Sequence, residues 1–299
     1  MSQHYPMGPA SRSRDAGLDA SNAETAGTLS AEERVRLLAR AKLAEADALL
    51  RQIGTDWLPP PFNPFMVAQA LGIRCRQAEG GVADGLVAVR DGDPLILYRR
   101  RRSKVQTYFT LFHEIAHTLF PEYRRDFLHN GDRRLFGPAG QLEYLCNIAA
   151  AEFLMPMDLF GKDLEERGFG AEQVPYLCQR YQAAAEEVCM RMVEADAAEC
   201  VLALYEPRRQ KRGGRQRLSF TYVLPTAGFR AGGRRLPSEV ELGRHNGIQR
   251  AARSRKTVCG EEGVRFADGD RLFWVEALPL KDRPRQNGQA PVLAFFYPD

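Results

Sequence analysis

Nowhere in this 299-residue chain do about 18 apolar residues run together, so no membrane-spanning helix is expected. The first segment, Met1 to about Leu29, has no apolar signal-peptide core. It is rich in Ser, Ala and Gly, carries two arginines, and reads as a disordered tail. Cysteine is sparse and unpatterned: Cys75, Cys146, Cys178, Cys189, Cys200 and Cys259 fall without any Cys-x-x-Cys spacing. That argues against a cysteine zinc cluster and a disulfide framework, and for a cytoplasmic protein. Histidine is scarcer still, at five residues. The apolar share of 44% is nevertheless ordinary, and the length allows two or three modules with one sizeable core.

Two of the five histidines stand in one short motif, His113-Glu114-Ile115-Ala116-His117. In this composition chance would produce His-Glu-x-x-His roughly 0.01 times. On a helix, residues four apart share a face, so His113 and His117 can point at one centre. Two neutral imidazoles so placed supply half of a tetrahedral zinc site. Glu114 sits about 100° round the helix and can reach a water at the metal as general base without being a ligand. The flanking Phe109, Leu111, Phe112, Ile115, Leu119 and Phe120 predict a helix buried on most faces. Buried histidines without partners are costly, which weighs against an incidental pair.

A third ligand is sought in the next helical segment, Gly140 to Met155, which ends at Pro156. Its stripe of Leu142, Leu145, Ala149 and Phe153 recurs at three- and four-residue intervals. Glu143 and Glu152 lie about 180° apart on such a helix, so only one can face the metal. Glu143 is the expected ligand, with Asn147 four residues on to orient it. The set of two histidines and one carboxylate favours zinc, although manganese or iron accepts the same ligands.

The runs Gln106–Phe120 and Glu143–Pro156, the latter with its Glu-x-x-x-Asn and Leu-Met-Pro, resemble the ImmA/IrrE metallopeptidases. The specific resemblance covers roughly residues 60–195 and is most like the IrrE-type radiation- and stress-response regulators. It implies a zincin-like catalytic domain in which His113, His117 and Glu143 hold the metal and Glu114 is the catalytic glutamate. It also implies a protein substrate, a helix-turn-helix repressor whose cleavage induces stress or DNA-damage genes.

An amphipathic helix is expected over Glu32–Ile53, with Val35, Leu37, Leu38, Ala41, Leu43 and Leu49–Leu50 as its apolar side. A stiff proline connector (57–64) and a short helix at Phe65–Leu71 follow. Ile73–Gln77, Gly85–Arg90 and Pro94–Tyr98 read as strands of a small antiparallel sheet. The arginine run 99–102 is a cationic rim or a contact to substrate or nucleic acid. The polar segment 121–139 is a loop near the site that holds Tyr123 and His129. Tyr123, His129 and Tyr144 are the candidates to stabilise an oxyanion.

Asp158–Glu166, Glu172–Tyr181 and Ala183–Glu194 form three short helices of helix-turn-helix shape, poor in the exposed basic residues that DNA reading requires. Beyond them, Cys200–Tyr205, Leu218–Leu224, Arg271–Ala277 and Val292–Tyr297 read as strands, and the resemblance implies a GAF-like sensor domain there.

The expected class is therefore α+β. Its parts are a tail (1–29), a metallopeptidase domain (30–156), a helix-turn-helix-like segment (157–197) and a C-terminal α/β GAF-like domain (198–299). Residues 200–299 carry 19 Lys/Arg against 10 Asp/Glu, a net +9 in a chain of net +4. The runs 208–217 and 250–256 concentrate that charge, as solvated loops or as a weak nucleic-acid contact. Two rivals remain. One is a DNA-binding regulator with a non-catalytic metal site, which would normally need a fourth protein ligand. The other is a cysteine hydrolase using Cys146, a residue on or beside the apolar stripe where packing is its expected role.

Overall fold

The computed structural model describes residues 29–55, 60–78, 84–90, 92–99, 103–120, 138–208, 217–232, 246–266, 269–281, 283 and 288–298. Residues 57–59 of the proline connector, the arginines 100–102, Tyr123, His129 and most of the run 208–217 lie outside them.

Helix α1 (Ala31–Gln52) starts at a reciprocal cap. The Ser30 hydroxyl accepts from the Glu33 N–H at 3.1 Å, and the Glu33 carboxylate accepts from the Ser30 N–H at 2.7 Å. Its buried residues are Val35, Ala39, Ala46 and Leu50. Leu37, Leu38 and Leu49, expected on the apolar side, are exposed instead. The helix packs on α2 and α4 through a narrow stripe of four- and seven-residue spacings, which those leucines miss. Helix α2 (Pro64–Ala70) is capped by the Asn63 side chain on Phe65 N–H and begins with proline, which has no N–H to leave unpaired.

Strands β1 (Arg74–Gln77), β2 (Gly85–Arg90) and β3 (Asp93–Tyr98) form a sheet of order β1-β3-β2. β2 and β3 are an antiparallel hairpin, but β1 runs parallel to β3, so the sheet is mixed rather than antiparallel. Residue-by-residue alternation predicts faces and says nothing of pairing direction.

One face of this sheet, with Val87 and Ile96 buried, carries α3 (Lys104–His117), and α3 in turn packs on α4 (Pro138–Leu154). Phe112 and Phe153 stack across the two helices at 5.6 Å. After Pro156 come α5 (Met157–Arg167), α6 (Val174–Tyr181) and α7 (Ala185–Ala195), close to the expected spans. Buried Asp163 on α5 accepts from Arg180 and, at 2.7 Å, from the Tyr181 hydroxyl of α6.

The remaining described chain is a five-stranded antiparallel sheet, β4 (Val201–Arg208), β5 (Arg217–Pro225), β6 (Val258–Phe266), β7 (Gly269–Pro279) and β8 (Val292–Pro298), in the order β5-β4-β8-β7-β6. Two short helices, α8 (Ala227–Ala231) and α9 (Gly247–Ser254), lie between β5 and β6. Leu202, Leu204, Leu278, Leu293 and Phe295 join the core built by the helices and the small sheet. On the opposite face Val201, Ala203, Tyr205, Val275 and Phe296 cluster with Ile248, Ala251 and Ala252 of α9. The arginine run 250–256, expected as a loop, thus largely lies on a helix whose apolar face is buried. The class is mixed α+β.

Candidate metal centre

His113 and His117 stand one turn apart near the C-terminal end of α3, both buried, with ring centroids 5.0 Å apart. Glu143, on the second turn of α4, reaches across to them. Its Oε2 lies 3.1 Å from His113 Nε2, and its Oε1 lies 3.6 Å from His117 Nε2. One donor atom from each of the three lies within 4.8 Å of the others. All three expected ligands are therefore brought together by the stacking of α3 on α4. Among the described residues no fourth His, Cys, Asp or Glu joins them.

Does this set suit a metal? A tetrahedral ion roughly 2.0–2.2 Å from each donor separates the donors by about 3.3–3.5 Å. The two carboxylate oxygens stand 3.1 and 3.6 Å from the imidazole nitrogens, one oxygen to each ring, and each contact is near that spacing. The hydrogen bonding gives a second reason. His113 Nδ1 lies 2.9 Å from Asn147 Oδ1. With the Nδ1 proton donated there, Nε2 and the Glu143 carboxylate are two acceptors facing each other, and a proton or a cation must lie between them. Burial opposes charge on the His113 ring. The hydrogen bond to Glu143, the charges of Glu114 and Glu143, and Asn147 outweigh it and raise the ring's pKa. A proton therefore balances this cluster when no cation does, and binding a cation would release it.

Asn147 was expected to orient Glu143, one turn before it on the same helix. It orients His113 instead. The interhelical contact wins because His113 Nδ1 offers a donor within reach of the amide oxygen.

Glu114 is 5% exposed and lies against the start of β2. A Cβ built on Gly85 would fall 2.5 Å from Glu114 Oε1. Sequence reading passed over Gly85, though a glycine opening a strand is a recognised sign that something approaches the backbone closely.

The other candidates separate clearly. Tyr144 gives its hydroxyl proton to Glu32 on α1 at 2.8 Å, and burial with that carboxylate pushes its pKa up to about 12. Its polar tip is thus committed to the α1 contact. Cys146 is fully buried, and burial, followed by Glu143 and Glu114, pushes its thiol far above the ordinary value. A nucleophilic cysteine needs the reverse, so the structure disfavours a Cys146 hydrolase. Glu152 turns away from the histidines. Its carboxylate binds Arg191, Arg40 at 2.6 Å and the Met157 N–H at 3.1 Å.

Two histidines on one helical turn and a carboxylate from the neighbouring helix, with a buried glutamate between the histidines, make a group that could hold a metal ion. Residues 68–193 match the model of a peptidase family described as the IrrE N-terminal-like domain. Over that span, somewhat less than half of the chain, the sequence is similar to that family. No curated protein matches the chain. The solved structure of a Mycobacterium tuberculosis transcriptional regulator is similar, with a TM-score of 0.50 over 89% of this chain and 79% of that one. At 12% identity the likeness concerns the fold alone.

Proposed function

We propose that the protein is a zinc-dependent endopeptidase of the cytoplasm, acting on a DNA-binding repressor of the helix-turn-helix class to induce stress or DNA-damage genes. The observation that carries this reading is the convergence of His113, His117 and Glu143 beside a buried Glu114. His113, His117 and Glu143 would hold the ion. When bound, the ion supplies Lewis acidity toward the scissile carbonyl and makes water more acidic; zinc suits these donors best, and manganese or iron accepts them.

The protein's own residues do the rest. Asn147 holds the His113 ring so that Nε2 faces the cluster. Glu143 would supply the one anionic donor beside two neutral imidazoles. Glu114 takes the proton of the attacking water at its carboxylate and delivers it to the leaving amide nitrogen. Residues 157–197 serve as a helix-turn-helix-like docking unit, and residues 198–299 as a GAF-like sensor that regulates cleavage.

Co-expression with a candidate repressor tests the reading. The wild type loaded with zinc should cut the repressor. Glu114→Gln should keep its metal and lose about 10²–10⁴-fold in rate. Normal cleavage by that variant would remove Glu114 from its role. A second reading, a DNA-binding regulator with a non-catalytic metal, draws on the net +9 of residues 200–299. It predicts salt-dependent duplex binding that survives Glu114→Gln, with the repressor left intact.

A further inference from the structure

We propose that Gly85 is a positioning residue for Glu114: the missing side chain at the head of β2 is the space in which the Glu114 carboxylate is held. The inference rests on Glu114 acting as general base, and it concerns what fixes that base in place.

Gly85 is buried and opens β2, opposite Tyr98 of β3. With Val87 two residues on, it belongs to the face that α3 covers. A Cβ there would lie 2.5 Å from Glu114 Oε1, 2.7 Å from Cγ and 2.9 Å from Cδ. These three nearest atoms all belong to one side chain. Gly85 does not occupy the left-handed region that Gly72 and Gly92 adopt at φ +71° and +88°. Glycine is therefore required here for volume and not for backbone conformation.

This separates two costs that usually come together. Alanine fits the extended backbone of β2, so the strand has nothing to lose. The nearest atoms it would strike all belong to the Glu114 side chain, so the methyl group acts on the carboxylate rather than on the strand backbone. Ordinary contact begins near 3.4 Å, so Oε1 must retreat by roughly 1 Å. A displacement of that size at a catalytic group costs on the order of 10²-fold in rate. The methyl group would thus spare the fold and misplace the base.

The experiment uses the full-length protein with and without zinc. In Gly85→Ala the melting temperature and the zinc content should match the wild type. Repressor cleavage should fall about 100-fold in kcat with KM nearly unchanged. The double variant supplies the control that a general structural defect would not reproduce. Glu114→Ala removes Cγ, Cδ and Oε1, every atom the methyl is shown to meet, so Gly85→Ala added to Glu114→Ala should cost less than about 3-fold in the residual cleavage. The carboxyl ¹³C resonance of Glu114, assigned by its loss in Glu114→Gln, should shift in metal-free Gly85→Ala. Should the wild type cleave nothing, the peptidase reading fails while this resonance still decides whether Gly85 places Glu114. An unmoved resonance, wild-type kcat in Gly85→Ala, additive losses in the double variant, or loss of zinc or fold from the methyl group alone would each overturn the proposal.

Discussion

Helix α4 carries two glutamates nine positions apart, and the two ends of that helix have become different chemical places. Glu143 faces two imidazole nitrogens. Glu152, half a turn round and fully buried, sits among Arg191, Arg40 and Arg36. At the second site the carboxylate charge is balanced by the protein, and the group ties α4 to α1 and α7. At the first the donors share an excess of lone pairs that only a proton or a metal ion can satisfy. The residue type is the same, so the neighbours contributed by α1, α3 and α7 decide which glutamate is a strut and which is a candidate ligand.

The comparison breaks most visibly if the strut is removed. Glu152→Ala leaves the Arg191 guanidinium, itself 1% exposed, without its buried partner. A loss of about 3–5 kcal/mol in unfolding free energy is expected, measured by urea denaturation. Zinc content per folded chain should stay the same, and loss of metal at unchanged stability would reverse the two assignments.

Acid sharpens the same contrast. Burial alone would raise the Glu152 carboxyl, but Arg191, Arg40 and the Met157 N–H overcome it and hold it below the ordinary 4.5. Its contribution to stability is therefore complete above pH 4.5 and fades as pH falls through the lower folded value. Urea midpoints measured below pH 4.5 should decline less steeply in Glu152→Gln than in the wild type. Parallel declines would show that the pair is not the cause.

At the ligand end, Asn147→Ala should weaken zinc binding by about 10–100-fold, read by competition with a chelator, because His113 loses the partner that turns its Nε2 inward. An unchanged affinity would mean that the ring is held by packing alone. The smallest effect is expected at Tyr144→Phe. It removes an exposed hydrogen bond to Glu32 and should cost no more than about 1 kcal/mol, with cleavage intact. A large fall in cleavage would return Tyr144 to the oxyanion candidates.

The site was legible in the chain because its information is local. His113, His117 and Glu114 lie within five residues, and Glu143 follows on the next periodic segment. The strands of the small sheet and the three helices after Pro156 were readable for the same reason, since each has strong periodicity between Gly or Pro breaks. What escaped depends on partners distant in sequence. β6 contains two glycines and two glutamates, and it becomes a strand by pairing with β7. α9 looked like a run of arginines, although Ile248, Ala251 and Ala252 already stood at helical spacing beneath them. Asn147 was placed one turn from Glu143 correctly, yet its bond goes to another helix. Gly85 reads as the first residue of a strand, and only its approach to Glu114 reveals why it lacks a side chain.

The central claim is that His113, His117 and Glu143 grip one divalent ion, and metal analysis of the purified protein addresses it most directly. The wild type should bind a single zinc per chain, and Glu143→Ala should lose it while remaining folded by circular dichroism. Full zinc retention in a folded Glu143→Ala variant, or a wild type that takes up no divalent ion, would contradict the account.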